Sequence, residues 1–133
     1  MIKGSCECQQ VRYQVDGEIL YYGHCHCSKC RKLHGAAFAT WGGVSRAAFK
    51  YLSGESEIKK YAFSDHSDSL FCNHCGSRIL VDSSTEPDEL YIAMGTVDGD
   101  VSCPPGVHEF VGSKASWYEI SDNLPKYDEA EDD

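Results

Sequence analysis

Apolar and polar residues in this chain alternate in short bursts and form almost no helical stripe. Val11, Tyr13 and Val15 alternate with Arg12 and Gln14, the period-two pattern of a strand with one buried face. Residues 19–22 read as a second strand running straight into a cluster of cysteines. Ser28–His34 reads as a short helix stopped by Gly35. Residues 36–44 read as a strand whose end is weakened by Gly42-Gly43. Ser45 is placed to cap one turn over residues 46–49. Residues 57–63 and 69–71 read as strands around the polar loop 64–68. Residues 78–81, 90–94 and 107–111 complete the set, with Asp98-Gly99 as a turn and Pro104-Pro105-Gly106 as a loop. Many short strands with turn signals predict a mainly β protein, a single domain of folded-over antiparallel sheets.

A length of 133 residues fits one domain. We expect a folded unit over residues 1–120 and an acidic, disordered tail over 121–133. At 41% hydrophobic residues the core is modest, so a metal cross-link would matter to folding. No apolar run approaches the roughly 18 residues of a transmembrane helix. The start, Met-Ile-Lys-Gly-Ser-Cys, lacks the apolar stretch of a signal peptide. The expected location is cytoplasmic, away from membranes. The formal charge is −9, and residues 128–133 supply five acids and no base, which leaves −4 elsewhere. That balance argues against a nucleic-acid partner. No pattern in the chain specifies an oligomeric state.

Cysteine usage carries the chemistry. Seven of the eight cysteines fall in three groups: Cys6-x-Cys8, Cys25-x-Cys27-x-x-Cys30 and Cys72-x-x-Cys75. In a reducing compartment structural disulfides are disfavoured, and loops this short gain little from them. Zinc needs the opposite, several sulfurs delivered to one point at about 2.3 Å. Cys72-Asn73-His74-Cys75-Gly76 has the form of a zinc knuckle, with Gly76 free to turn the backbone at positive φ. Alternate residues of an extended chain point to one side, so Cys6 and Cys8 can chelate together. Those two with Cys72 and Cys75 make a closed, structural four-thiolate site. Cys25, Cys27 and Cys30 can converge on a second ion and leave its fourth position open, the arrangement of catalytic zinc. The competing expectation is a second closed site, completed by Cys103 or a histidine.

These residues also resemble a known family. Gly4-Ser5-Cys6-x-Cys8, His26-Cys27-x-x-Cys30-Arg31 and Phe71-Cys72-x-x-Cys75-Gly76-Ser77 look like the glutathione-dependent formaldehyde-activating (GFA) family, which includes centromere protein V. Gly95-Thr96-Val97-Asp98, and His108-Glu109-Phe110 with Ser113-Lys114-Ala115 and Trp117, resemble its later motifs. The likeness covers residues 4–118. It implies folded-over β-sheets and two zinc ions: Cys6, Cys8, Cys72 and Cys75 for the structural one, Cys25, Cys27 and Cys30 for the active one. It also implies a carbon–sulfur lyase acting on a small thiol adduct of the S-hydroxymethylglutathione type, so that glutathione and formaldehyde are the expected partners. By residue type, His26 and His108 are the candidate acid and base. Arg31, Lys32 and Lys114 are the bases nearest in sequence that could receive an anionic thiol. Two alternatives make different demands. A non-enzymatic zinc module predicts a closed second site and no pocket. A thiol redox enzyme using Cys103 predicts an exposed thiol of lowered pKa.

Overall fold

The computed structural model describes residues 1–130. Two sheets pack face to face. The smaller is ordered β10–β1–β2–β5, formed by β1 (Ile2–Ser5), β2 (Arg12–Val15), β5 (Phe49–Ser53) and β10 (Val97–Asp98). The larger is ordered β11–β3–β4–β9–β8–β7–β6. It contains β3 (Tyr21–Cys25), β4 (Ala39–Ser45), β6 (Ile58–Ala62), β7 (Ser67–Cys72), β8 (Arg78–Ser83), β9 (Glu89–Ala93) and β11 (Val107–Glu109). Helix α1 (Ser28–His34) follows β3 directly and ends at Gly35 in the left-handed conformation. The mainly β class and the folded-over sheets are as expected. No helix among the described residues is long and apolar enough to cross a membrane.

The core follows from strand periodicity. Val11, Tyr13 and Val15 are fully buried and meet Val44, Leu80, Leu90 and Ile92 of the larger sheet. The larger sheet is therefore two-faced. Leu90 and Ile92 turn inward, while Glu89 and Tyr91, alternating with them, turn outward. Across β4, Gly43 pairs with Tyr21 on one side and Tyr91 on the other. A Cβ on Gly43 would come within 2.3 Å of the Tyr21 ring. The Gly42-Gly43 pair thus lies inside the strand, where the missing side chain makes room for an aromatic, and does not end it.

Three further expectations need correction. The second strand begins at Tyr21, two residues later than its apolar run, and reaches Cys25. One pairing is parallel: β11 lies beside β3 with His108 opposite His24 and Glu109 opposite Cys25. Finally, residues 121–130 are not a loose tail. Pro125, Tyr127, Asp128 and Glu129 exchange backbone hydrogen bonds with residues 108–112, including His108 N–H to Pro125 O at 2.9 Å. Aligned backbone donors and acceptors here outweigh the charge of the segment. The end of the expected tail, residues 131–133, lies outside the described residues.

The buried phenols give this packing a pH signature. Burial pushes Tyr13 up to about 12, and it does the same to Tyr51. A raised folded value means stability present in full below the ordinary value near 10 and lost as pH climbs from there toward 12. Urea midpoints measured between about pH 9 and about pH 11.5 should fall, and Tyr13→Phe should flatten that fall. Equal slopes in the two proteins would contradict the burial of this hydroxyl.

Candidate metal centres

Two groups of thiols converge, and they do so in different settings. In each group all the sulfurs lie within 4.8 Å of one another. The first joins the two sheets. Cys6 and Cys8 stand in the turn after β1, while Cys72 ends β7 and Cys75 follows in the turn before β8. Gly76 has φ +84° and donates its N–H to Cys72 O at 2.8 Å, closing the knuckle. A tetrahedron of sulfurs about 2.3 Å from zinc has edges near 3.8 Å. The Cys6–Cys8 and Cys8–Cys72 sulfur separations are 3.5 and 3.9 Å, so the group fits such an ion. Amides prepare it for a cation: Val11 N–H donates to Cys6 Sγ at 3.3 Å and Cys75 N–H to Cys72 Sγ at 3.5 Å. Against burial, which would raise it, the Ser77 hydroxyl and amide pull the Cys75 thiol down to about 5. Ser77 Oγ also accepts from Glu7 N–H at 3.0 Å, fastening the two turns together.

The second group is local. Cys25 ends β3, Cys27 caps α1 and Cys30 lies in its first turn. Cys30 N–H donates to Cys27 Sγ at 3.3 Å. The Cys25 and Cys30 thiols lean on Cys27 and hold it down to about 2, while Cys27 in turn pushes Cys25 up. Three sulfurs this close are a set of donors from which a divalent cation displaces protons. No fourth Cys, His, Asp or Glu among the described residues joins the three.

Cys25 and Cys30 instead open onto a cleft of about 500 Å³ on the outer face of the larger sheet. Its walls include Tyr21, Tyr22, Trp41, Phe63, Tyr91 and Val107. Three carboxylates complete it: Glu86 in the β8–β9 connection, Glu89 opening β9, and Glu109 on β11. Glu109 sits opposite Cys25 in the parallel ladder, and its Oε1 lies 3.9 Å from where a Gly23 Cβ would be. Tyr21 donates a short hydrogen bond to Glu89.

His26 and His108 stand elsewhere. Strand parity sends Cys25 and Glu109 to the cleft, and sends His24 and His108, one residue away, to the other face. His26 Nε2 meets His108 Nδ1 at 2.8 Å, and His108 Nε2 meets Asp122 Oδ2 at 2.9 Å. Both rings are almost wholly buried, and neither lines the cleft. Burial first, then the charge of His108, lowers His26 to about 4. Of the bases expected to receive an anionic thiol, Arg31, Lys32 and Lys114, none lines the cleft. Cys103 is exposed, but burial by its neighbours raises its thiol rather than lowering it. That is the reverse of what a redox nucleophile requires.

The sequence model of glutathione-dependent formaldehyde-activating enzymes matches residues 1–113. The chain belongs to the GFA family. An uncharacterised lyase of Schizosaccharomyces pombe is 25% identical to this GFA-family chain over 77 residues, 58% of the chain and 54% of that protein. The chain thus spans about half the length of this curated relative. A crystal structure of a Rhodobacter sphaeroides protein has the same fold, with TM-score 0.63 and 22% identity over 74% of this chain and 89% of that one.

Closed and open sulfur shells should lose metal differently. During graded chelation, metal analysis with circular dichroism should show one ion leaving while the sheets persist and the second leaving with unfolding. Loss of both in a single step would oppose the division. In the same vein, Cys72→Ser should remove on the order of the domain's whole stability, about 5–15 kcal/mol. Cys27→Ser should leave a folded protein that loses the second ion. Soluble yield and dichroism of the two variants compare them directly.

Proposed function

We propose that this chain is a zinc-dependent carbon–sulfur lyase acting on small thiol adducts of the S-hydroxymethylglutathione type. The observation that carries the reading is the cysteine triplet at the wall of a cleft, with no fourth protein donor among the described residues. Family membership supplies the reaction class. Cys6, Cys8, Cys72 and Cys75 would hold the structural ion, and Cys25, Cys27 and Cys30 the active one. Zinc bound to three thiolates supplies a Lewis-acidic position that keeps a substrate sulfur deprotonated or polarises the oxygen beside it.

The chain's own residues do the rest. The hydroxymethyl adduct RS–CH2–OH breaks at its C–S bond. The electron pair leaves with sulfur, the hydroxyl loses its proton, and formaldehyde and thiolate separate. Glu109 is the group we assign to that proton, because it faces the cleft across the ladder from Cys25. In the reverse direction it returns the proton to the oxygen. His26 and His108, the sequence-based candidates, would act as positioning residues: with Asp122 they tie β3, β11 and the C-terminal segment together.

The binding-module alternative demanded a closed second shell and no pocket, and the cleft speaks against it. Hydroxymethyl exchange between formaldehyde and a thiol, followed by NMR, should run faster with the protein than its spontaneous background. Glu109→Gln should lower kcat by about 10²–10⁴-fold with both metals retained. An unchanged rate in Glu109→Gln would reject the proton assignment. Absence of acceleration with any thiol would reject the lyase reading.

A further inference from the structure

The cleft is longer than the reaction needs. Tyr21, Gly23 and Cys25 lie on one face of β3 and all line it. Four residue rises along the strand separate Cys25 from Tyr21, roughly 13 Å. The far end is built from the Tyr21 ring, the Tyr91 ring 5.9 Å from it, and the carboxylates of Glu86 and Glu89. Burial raises the Tyr91 phenol, a hydrogen bond with Tyr21 pulls it back, and the charges of Glu86, Glu89 and Glu109 add to the rise. Among the described residues no lysine or arginine lines the cleft. The ammonium of Lys29 is engaged near its edge, donating to Phe63 O at 2.9 Å and lying 5.9 Å from the Phe63 ring centre.

Carboxylates with aromatic faces are the surroundings that a desolvated organic cation selects. An anionic group there would meet like charge, and three thiolates around a divalent ion leave the near end negative as well. Taking the lyase reading as its basis for which end reacts, we propose that the thiol carrier is amine-terminated. Its sulfur lies at the Cys25 end, and its cationic amine, some 13 Å along β3, lies between Glu86, Glu89 and the rings of Tyr21 and Tyr91. The carrier need not be a tripeptide. What the cleft reads is a positive charge at a set distance from sulfur.

Three thiols long enough to span about 13 Å separate charge from size: 9-aminononane-1-thiol, 9-mercaptononan-1-ol and 9-mercaptononanoate. With the metal-loaded protein, kcat/KM for hydroxymethyl exchange should fall in that order, by about tenfold per step. Calorimetric affinities of the same free thiols should follow the same order without any turnover. Cysteamine, too short to reach Glu86 and Glu89, should show a smaller advantage over mercaptoethanol than the nine-carbon pair shows. Glu86→Gln should narrow the amine-to-alcohol ratio in both measurements, and so should added salt. Equal or tighter binding of the carboxylate thiol overturns the proposal, whether or not exchange is catalysed. Cation-selective binding without exchange would retain it and reject the lyase reading instead.

Discussion

Everything in this molecule depends on bringing sulfurs from distant parts of the chain to one point. The turn after β1 and the turn before β8 belong to different sheets, and Cys6, Cys8, Cys72 and Cys75 meet where those sheets meet. Cys6 and Cys72 are buried and count among the core residues themselves. Sulfurs this close are a burden without a cation, since thiolates repel and thiols leave the amides pointing at them poorly matched. With one, the same closeness becomes a cross-link that spares the domain a larger hydrophobic core.

The second cluster inherits its position from that frame. β3 runs along the larger sheet, and its parity decides which residues the cleft sees. Cys25, Gly23 and Tyr21 face outward. His24, the buried His26 and His108, and the exposed Asp122 occupy the opposite side. Because β11 pairs in parallel with β3, the same parity brings Glu109 beside Cys25. A sulfur cluster and a carboxylate thus share one wall, while the histidines brace the strands that carry them.

Much of this is legible in the sequence. The three cysteine groups, the helix Ser28–His34 and the strand at Val11, Tyr13 and Val15 were marked by spacing and period. β1 was not, because its second inward position is Gly4, which carries no apolar signal. Its missing Cβ matters all the same, since one would lie 2.2 Å from the Tyr13 ring. β5 carried the alternation of Phe49 and Tyr51 with Lys50, but it was shadowed by the turn at Ser45. Chemical type alone points to His26 and His108. Counting alternate residues from Cys25 would have placed His24 off the cleft and Tyr21 on it. Glu109, by contrast, needed the parallel pairing of β11, a long-range contact that no local pattern announces. The same holds for residues 125–129, part of the stretch 121–133 whose acidity suggests solvent but whose backbone here finds partners at residues 108–112.

The central proposal is that the two cysteine groups hold two zinc ions in unequal shells. Diffraction data on either side of the zinc edge, from crystals of protein purified without chelators, test it most directly. The account predicts two anomalous peaks: one inside the sulfurs of Cys6, Cys8, Cys72 and Cys75, the other bound by Cys25, Cys27 and Cys30 with its fourth position facing the cleft. A single peak, or a second ion closed by Cys103 or a histidine, would contradict it.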